Sequence, residues 1–209
     1  EQLAAATSPT DNLLVIAPPG CGKTEVLASR AAFEIPALEK NQKILALTFT
    51  KKARTNLEER LRAVISEPQV RRRVSVRNFH GFSAELVLAH GRTIGLDVDG
   101  IALPKIGTQR AAFKKAGGGR EIYAAEALLS RVKRHPYTDE EVLQALREED
   151  PDAVTRLAIA VELERQASNQ LHYDDILRHA QRLLQIPAVA RLYQAHYGCV
   201  IVDEFQDLS

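Results

Sequence analysis

The sequence predicts an α/β protein in which a parallel sheet carries helices on both faces and an all-helical segment interrupts the sheet domain. Short apolar runs bounded by turn residues alternate with helical patterns, and this alternation is typical of strand–helix units. A tight Pro/Gly cluster follows the first apolar run, as in loops that lead from a strand into a helix. From residue 121 onward the pattern changes to consecutive helices, which predicts an insertion.

Four apolar runs predict the strands of the sheet. They are NLLVIA at residues 12–17, KILALTF at 43–49, RVSVRN at 73–78 and CVIVDEF at 199–205. Three are continuous, as expected of strands buried on both faces, and the third alternates between apolar and polar residues.

Helical patterns fill the intervals between these runs. Apolar residues recur every four positions after the second run and predict one helical face at Ala53, Leu57, Leu61 and Ile65. Residues 79–90 form a further predicted helix that ends at Gly91. Near the end of the chain, Gly198 is predicted to end the last helix, and an apolar helical stripe is predicted at Ile176, Leu177, Ala180, Leu183 and Leu184.

The insertion is predicted to span residues 92–170, leaving 1–91 and 171–209 as a discontinuous sheet domain. Within it, Thr138 and Glu141 have the spacing of a capping box. Asp150 before Pro151 predicts an N-cap with proline at the first helical position.

Composition bounds the class of protein but does not identify a ligand. Of 209 residues, 45% are hydrophobic and 26% charged, as in an ordinary globular chain, and the net charge of +1 gives no bulk attraction for nucleic acid. Cys21 and Cys199 form no disulfide or metal framework, so we expect free thiols in a reducing compartment. Because no signal peptide or membrane-spanning segment is recognisable, we expect a cytoplasmic protein without a membrane partner.

The segment APPGCGKT at residues 17–24 predicts a phosphate-binding loop. It fits the pattern G-x-x-x-x-G-K-[ST] except that Ala17 replaces the first glycine. Backbone amides at the start of a helix attract anions, and Gly20 and Gly22 let a phosphate approach closely. Lys23 would neutralise the terminal phosphates, and Thr24 would offer its hydroxyl to magnesium. The alternative is a chance turn before a helix.

The segment VIVDEFQD supplies the acidic partner that such a loop requires. Four apolar residues bring Asp203 and Glu204 to the carboxyl end of a strand, where ligands bind in parallel sheets. Asp203 would hold magnesium through water, and Glu204 would orient and deprotonate the attacking water. The alternative is an acidic pair that caps a strand as it reaches the surface.

With these motifs together, nearly the whole chain resembles the UvrD/Rep-like superfamily 1 DNA helicases. APPGCGKT resembles motif I, in which alanine is common at the first position, and VIVDEFQDLS resembles motif II. ALTFTKKARTNLEERL is similar to the T-F-T-N-K-A-A-x-E-M segment, from which it departs at Lys51, Arg54, Asn56 and Leu57. VRNFHGFSAEL is similar to the T-F-H-S-F segment, and LHYDDIL to the L-x-Y-D-D-L segment that closes the inserted helical domain.

The resemblance implies a RecA-like P-loop NTPase fold with ATP and magnesium as cofactors. The catalytic residues implied are Lys23, Asp203, Glu204 and Gln206. The nucleotide-binding residues implied are Gln2, Ala17, Pro18, Pro19, Gly20, Cys21, Gly22, Lys23 and Thr24, with Thr24 and Asp203 on the metal. Gln2 stands at the position of the adenine-reading glutamine, and one amide can donate to and accept from the base. The alternative for Gln2 is a disordered tail.

The resemblance also implies a track for single-stranded DNA just past the strand ends. Its residues would be Thr48, Phe49, Thr50, Lys51, Phe79 and His80. His80 would contact phosphate, and Phe79 would pack near a base, while core packing is the alternative for both aromatic side chains. Asn78 and Gly81 replace the threonine and serine of the family pattern.

Three further groups of residues are candidates for functional roles. Arg71, Arg72, Arg73 and Arg77 could meet a nucleic-acid backbone, although a solvated edge is the better interpretation. Lys114, Lys115 and Arg120 could touch duplex DNA. Tyr173, Asp174 and Asp175 match the family signature, and helix capping by itself explains Asp174.

We therefore expect ATP-driven translocation on single-stranded DNA with unwinding at a duplex junction, in the 3′ to 5′ direction that the resemblance implies. The chain lacks methionine and stops within a motif, so we expect a fragment that lacks the second RecA-like domain and its arginines. Such a fragment would hydrolyse ATP slowly or not at all. Alternatives are a nucleotide-dependent DNA or protein docking module, the motor part of a helicase-nuclease subunit, and a small-metabolite kinase.

Overall fold

The computed structural model describes residues 2–10, 12–18, 20–103 and 108–205. The strands are β1 Lys43–Thr48, β2 Val74–Asn78 and β3 Tyr197–Val202. The helices before the insertion are α1 Gln2–Ala6, α2 Lys23–Glu34, α3 Lys51–Val64, α4 Glu67–Arg73 and α5 Phe79–His90. The later helices are α6 Thr108–Lys115, α7 Ile122–Lys133, α8 Asp139–Arg147, α9 Ala153–Ala167, α10 Tyr173–Leu184 and α11 Pro187–His196.

The sheet is parallel with the strand order β2-β1-β3, and helices surround it, as the sequence predicts. Ile44 of β1 lies opposite Val74 on one side and Cys199 on the other. Ile44–Thr48 is buried throughout, which explains why the second apolar run is continuous. Because all three strands are parallel, their carboxyl ends meet at one edge, where the predicted site residues follow them.

The predicted strand at residues 12–17 is wrong, because this segment is neither helix nor strand in the structure. Leu14 is 64% exposed and Ile16 is 87% exposed. Hydrogen bonds to side chains of α2 hold its two flanks instead: Arg30 donates to the carbonyl of Thr10 at 3.2 Å, and Lys23 donates to that of Ala17 at 3.2 Å. An apolar run specifies a strand only where a neighbouring strand offers an open ladder.

Two predicted helix ends are also wrong. Gly198 lies in β3, and α11 ends at His196. A Cβ at Gly198 would lie 2.6 Å from Gln42 Oε1, so close packing explains this glycine. Asp152, rather than Asp150, caps α9 by accepting from the N–H of Thr155 at 2.8 Å.

Described residues up to Phe82 and from Ala190 onward form one compact unit. Its core is formed by α2, β1, α3, β2 and β3 and includes Ala28, Ile44, Ala46, Leu57, Leu61, Val74, Val76 and Ile201. The predicted face of Leu57, Leu61 and Ile65 is buried in this core, whereas Ala53 is only half-buried.

Ser83–Val189 forms the second compact unit, which is helical. Its core includes Phe113, Ala125, Leu129, Val142, Leu146, Ala158 and Val161. The predicted capping box of Thr138 and Glu141 is present at the start of α8. In the predicted α10 stripe, Leu177 and Leu184 are the exceptions, at 36% and 40% exposed. The boundaries predicted from sequence for the insertion, 92 and 170, stay predictions.

A buried ionic cluster lies within the helical unit. We define it as three cations, Lys133, Arg165 and Arg178, with three carboxylates, Asp139, Glu162 and Asp175. Asp139 is 33% exposed, and the side chains of the other five are at most 3% exposed. Burial alone would raise the pKa of Asp175, but the positive charges of Lys133, Arg165 and Arg178 outweigh it and hold that pKa below its ordinary value.

No helix in the described ranges is both long and apolar enough to cross a membrane. Both cysteines are free thiols, as predicted. Burial raises the pKa of Cys199 to about 11, so its thiol is protonated at neutral pH.

Candidate nucleotide and nucleic-acid site

The loop before α2 has the backbone shape of an anion-binding turn. Gly20 and Gly22 have φ of +81° and +77°, a conformation that side chains with a Cβ rarely adopt. Gly22 is the N-cap of α2, where no side chain caps the helix, and its carbonyl accepts a hydrogen bond from the backbone N–H of Glu25 at 2.9 Å. The first N–H groups of a helix have no partner within it. Lys23 and Thr24 therefore begin α2 where backbone donors and the helix dipole favour an anion.

Two carboxylates follow β3 at the carboxyl edge of the sheet. The N–H of Asp203 donates to the carbonyl of Leu47 at 2.9 Å, which extends the pairing with β1 beyond the end of β3. Glu204 has a left-handed φ of +54°, and its N–H donates to Asp203 Oδ1 at 3.1 Å. Burial leaves Asp203 only 7% exposed. This sharp turn keeps Asp203 inside while Glu204 stays half-buried.

Charges from both the loop and the neighbouring carboxylate affect the pKa of Asp203. Burial raises the pKa of Asp203, and the negative charge of Glu204 raises it further. The ammonium of Lys23 acts in the opposite direction and lowers that pKa. Helix α2 also contacts β3. The structure therefore brings Lys23 and Asp203 to the same edge of the sheet.

Gln2 lies against the predicted phosphate loop. It begins α1, which packs against α2. Its side-chain Nε2 donates to the carbonyl of Cys21 at 2.8 Å and lies 2.9 Å from where a Cβ on Gly22 would be. Gln2 is thus part of a helix at the loop rather than a tail.

Oxygen donors suited to magnesium stand at this edge. Thr24 contributes a hydroxyl from the first turn of α2, and Asp203 and Glu204 contribute carboxylates. Hard cations such as Mg²⁺ prefer such ligands, so the donor chemistry fits this metal. Pro19 and Gln206 lie outside the described residues, and their predicted roles stay predictions.

Beyond β1 and β2, two aromatic side chains lie together. The rings of Phe49 and Phe79 have centroids 4.9 Å apart at 41°, and both residues are half-buried, as is His80. Lys51 is exposed at the start of α3. These side chains are accessible at the edge that carries the predicted nucleotide site.

Two threonines of the predicted DNA track have local structural roles. Thr48 is fully buried and donates to the carbonyl of Thr50 at 3.4 Å, so in this structure it offers no surface to a DNA strand. Thr50 is the N-cap of α3 and accepts from the N–H of Ala53 at 3.0 Å. Because its hydroxyl is engaged in this cap, Thr50 fixes the direction in which α3 leaves the edge.

Comparison with known proteins identifies the family. The family model described as UvrD/REP helicase N-terminal domain matches residues 1–209. This chain belongs to the UvrD/REP helicase family. It is similar to the ATP-dependent DNA helicase PcrA of Leuconostoc citreum, with 27% identity over 100% of the chain and 29% of that protein.

Two other helicases show the same extent of likeness. The ATP-dependent DNA helicase UvrD1 of Mycobacterium leprae is 27% identical over 100% of the chain and 28% of its own length. The ATP-dependent DNA helicase srs2 of Schizosaccharomyces pombe is 28% identical over 100% of the chain and 26% of its own length. The chain thus spans less than a third of these UvrD/REP relatives.

The departure from the family pattern at Asn78 and Gly81 forms a helix cap in this UvrD/REP chain. Asn78 precedes α5, and its Oδ1 accepts from the N–H of Gly81 at 3.0 Å. A Cβ on Gly81 would lie only 2.4 Å from that oxygen. The two residues therefore fit each other at the start of the helix that carries Phe79 and His80.

The arginine group near β2 has a structural explanation. Arg73 donates to four backbone carbonyls in the segment that follows α2, those of Ile35, Leu38, Glu39 and Lys40, at 2.8–3.4 Å. Arg71 pairs with Glu67 at 2.8 Å, and Arg72 donates to the carbonyl of Pro68 at 3.2 Å. Arg71 and Arg72 are exposed, in agreement with a solvated edge.

The prediction that helix capping explains Asp174 is wrong, because its neighbour Asp175 provides the capping carboxylate. Asp175 caps α10 by accepting from the N–H of His172 at 2.9 Å, and it also belongs to the buried ionic cluster. Asp174 accepts instead from the hydroxyl of Ser130 at 2.7 Å. The signal that could have identified the cap is spacing, because Asp175 stands at the third helical position, where capping-box carboxylates occur.

Glu162, His172 and Asp175 also present metal-ligand atoms within 4.8 Å of one another. Their carboxylates are already paired with Lys133 and Arg165. Positive charges at these positions oppose a metal ion, so we assign the group to ion pairing.

Proposed function

We propose that this chain is the nucleotide-binding part of an ATP-driven motor that moves along single-stranded DNA and unwinds duplex DNA. Relatives in the UvrD/REP family are named ATP-dependent DNA helicases. The chain covers only part of their length, so the activity, its DNA substrate and a second RecA-like domain are all assigned to the whole protein. A cytoplasmic location accords with the use of ATP and DNA.

The observation that carries the proposal is that Lys23, at the start of α2, is near enough to Asp203 for its charge to lower the pKa of that carboxyl, while α2 packs against β3. Lys23 would neutralise the terminal phosphates of ATP, and the amides at the start of α2 would hold their oxygens. Thr24 and Asp203 would hold Mg²⁺, which when bound offsets the negative charge of the phosphates. Glu204 would orient and deprotonate water, and Gln206 would complete the catalytic set.

The DNA side rests on the accessible aromatic pair. Phe79 would contact a base with its exposed surface while Phe49 supports its ring, because stacking on aromatic rings tolerates any base sequence. Lys51 and His80 would meet backbone phosphates. The cap made by Asn78 would fix the orientation of the helix that carries Phe79 and His80.

Titration of a fluorescent ATP analogue with Mg²⁺ on the intact protein tests the nucleotide site. We expect Lys23→Ala to weaken binding by at least about tenfold, the loss of one charge-assisted contact. Asp203→Asn should abolish the dependence on Mg²⁺. The control is Lys52→Ala, an exposed lysine of α3, which should bind like the wild type. Equal binding by the two lysine variants would refute the proposed site.

Displacement of streptavidin from the end of a biotinylated single strand tests the motor. We expect ATP-dependent displacement, and we expect Phe79→Ala to reduce it. The aromatic control is Phe33→Ala, because Phe33 lies on α2 and is 45% exposed. If the intact protein binds ATP and DNA but neither hydrolyses ATP nor displaces streptavidin, a docking module replaces the motor.

A further inference from the structure

We propose that Arg30 is a positioning residue that holds the N-terminal segment, residues 2–10, against α2. In this way Arg30 keeps Gln2 at the nucleotide loop. This inference rests on the proposed function and on the role that the family resemblance implies for Gln2, which is to read the adenine of ATP. Arg30 would act on base recognition only through the position of α1, without contacting the nucleotide itself.

Arg30 connects α2 to the backbone that follows α1. It lies seven residues after Lys23, about 10 Å along the helix. Its guanidinium donates to the carbonyl of Ser8 and, at 3.2 Å, to that of Thr10. The same group pairs with Glu34, one turn away, and its side chain is only 14% exposed. Hydrogen bonds from a charged, largely buried donor are strong, so this contact is a firm anchor.

The segment is therefore fastened to α2 and its loop at both ends. At the first end, Gln2 donates to the carbonyl of Cys21 at 2.8 Å. In between, α1 buries Ala6, which is 2% exposed, whereas Leu3 is 75% exposed. At the second end, Arg30 holds Ser8 and Thr10. A single small buried side chain leaves the position of the segment dependent on its polar anchors.

The length of α1 makes such an anchor necessary. It has five residues, and isolated helices shorter than roughly 12–15 residues are marginal in water. Without Arg30, the Gln2 amide would have to order the whole segment when a base binds. The loss of this preorganisation would weaken base recognition while leaving the phosphate contacts of the loop unchanged.

The test compares two ligands of the intact protein, Mg²⁺-ATP and Mg²⁺-tripolyphosphate, which shares the phosphates but has no base. The ratio of their affinities measures base recognition and cancels any general loss of folded protein. We expect Arg30→Ala and Gln2→Ala each to lower this ratio by about tenfold, the lower end expected for one bidentate base contact. Affinity for tripolyphosphate should change less than about twofold.

Three further variants sharpen the assignment. Gln2→Ala combined with Arg30→Ala should have the same ratio as Gln2→Ala alone, because Arg30 acts through Gln2. Arg30→Lys keeps the charge and can reach one carbonyl, so it should recover part of the ratio. The matched control is Arg71→Ala, which removes an arginine that also pairs with a glutamate one turn away and should leave the ratio unchanged.

The outcomes that overturn the inference are distinct from failure of the proposed function. An unchanged ratio in Arg30→Ala or in Gln2→Ala overturns it, as does an equal loss of both ligands in Arg30→Ala or additive effects in the double variant. If Lys23→Ala binds both ligands as tightly as the wild type, the proposed nucleotide site itself is wrong, and this inference falls with it.

Discussion

Removing the charge of Lys133 should strongly destabilise the helical unit. Lys133 Nζ lies 2.6 Å from Glu162 Oε2 and 2.9 Å from Asp175, and the side chains of all three residues are 0% exposed. Lys133→Met keeps the apolar stem and removes only the ammonium. The buried ionic cluster would then hold two cations against three carboxylates, and solvent does not reach the side chains of Glu162 and Asp175 to screen the excess negative charge.

The expected loss is about 3 kcal/mol of unfolding free energy. Breaking a buried ion pair by removing one partner costs roughly 3–5 kcal/mol. The lower end applies here because Arg165 remains 2.7 Å from Glu162 and 3.3 Å from Asp175 and still compensates both carboxylates.

Denaturant unfolding measures this loss, with hydrogen exchange of amides in α7, α9 and α10 used to monitor the helical unit. The matched control is Lys115→Met. Lys115 pairs with Glu164, which lies in α9 as Glu162 does, but Lys115 is 74% exposed. The change should therefore cost no more than about 1 kcal/mol. Adding Glu162→Gln to Lys133→Met should restore part of the stability by rebalancing the charge. If Lys133→Met and Lys115→Met cost the same, the reasoning about burial is wrong.

Three further predictions follow from particular contacts. Gly22→Ala, at φ +77° and with its Cβ 2.9 Å from Gln2 Nε2, should weaken ATP binding by at least about tenfold, and unchanged affinity in a calorimetric titration would contradict this. Asn78→Ala should cost about 1 kcal/mol in denaturant unfolding through loss of the cap on Gly81, whereas Asn78→Asp keeps the acceptor and should cost less. Burial and the charge of Lys133 lower the pKa of His172 from 6.5 to about 4. Between pH 6.5 and 4, His172 is protonated in the unfolded chain but neutral in the folded one, so the free energy of unfolding falls as the pH falls. From pH 7.5 to 5 the wild type should lose about 2 kcal/mol more than His172→Gln in the same unfolding assay.

β1 could be predicted because burial on both faces leaves a continuous apolar run. The expectation that the continuous run at β3 is buried on both faces is wrong, because Val200 is 56% exposed. The run at β1 lies in the middle of the sheet, so its sequence and its environment agree. The run at residues 12–17 is just as apolar, yet Ile16 is 87% exposed. Local sequence records the hydrophobicity of a segment but not whether a neighbouring strand offers it hydrogen bonds, so the two runs could not be distinguished.

The candidate nucleotide site could be predicted from sequence because its chemistry is concentrated in two short motifs. Glycines at 20 and 22 and the lysine after them have to be adjacent to form one loop. The contacts that surround the site have no such local pattern. Arg30 meets Ser8 across 22 positions of sequence, and Lys133 meets Asp175 across 42. Spacing within a motif cannot reveal partners at these separations.

The pair Asn78 and Gly81 explains how a departure from a family pattern can preserve local structure. Asn78 Oδ1 lies 2.4 Å from where residue 81 would carry a Cβ, so the serine of the family pattern could not share this position with the asparagine as it stands. With glycine there, Asn78 reaches the N–H of residue 81 and caps α5. Asn78 and Gly81 each replace a residue with a hydroxyl in the family pattern, and the two replacements are compatible because glycine at 81 leaves room for the Asn78 side chain. Restoring serine at 81 alone would displace the cap and disturb Phe79 and His80, the residues that the family pattern retains.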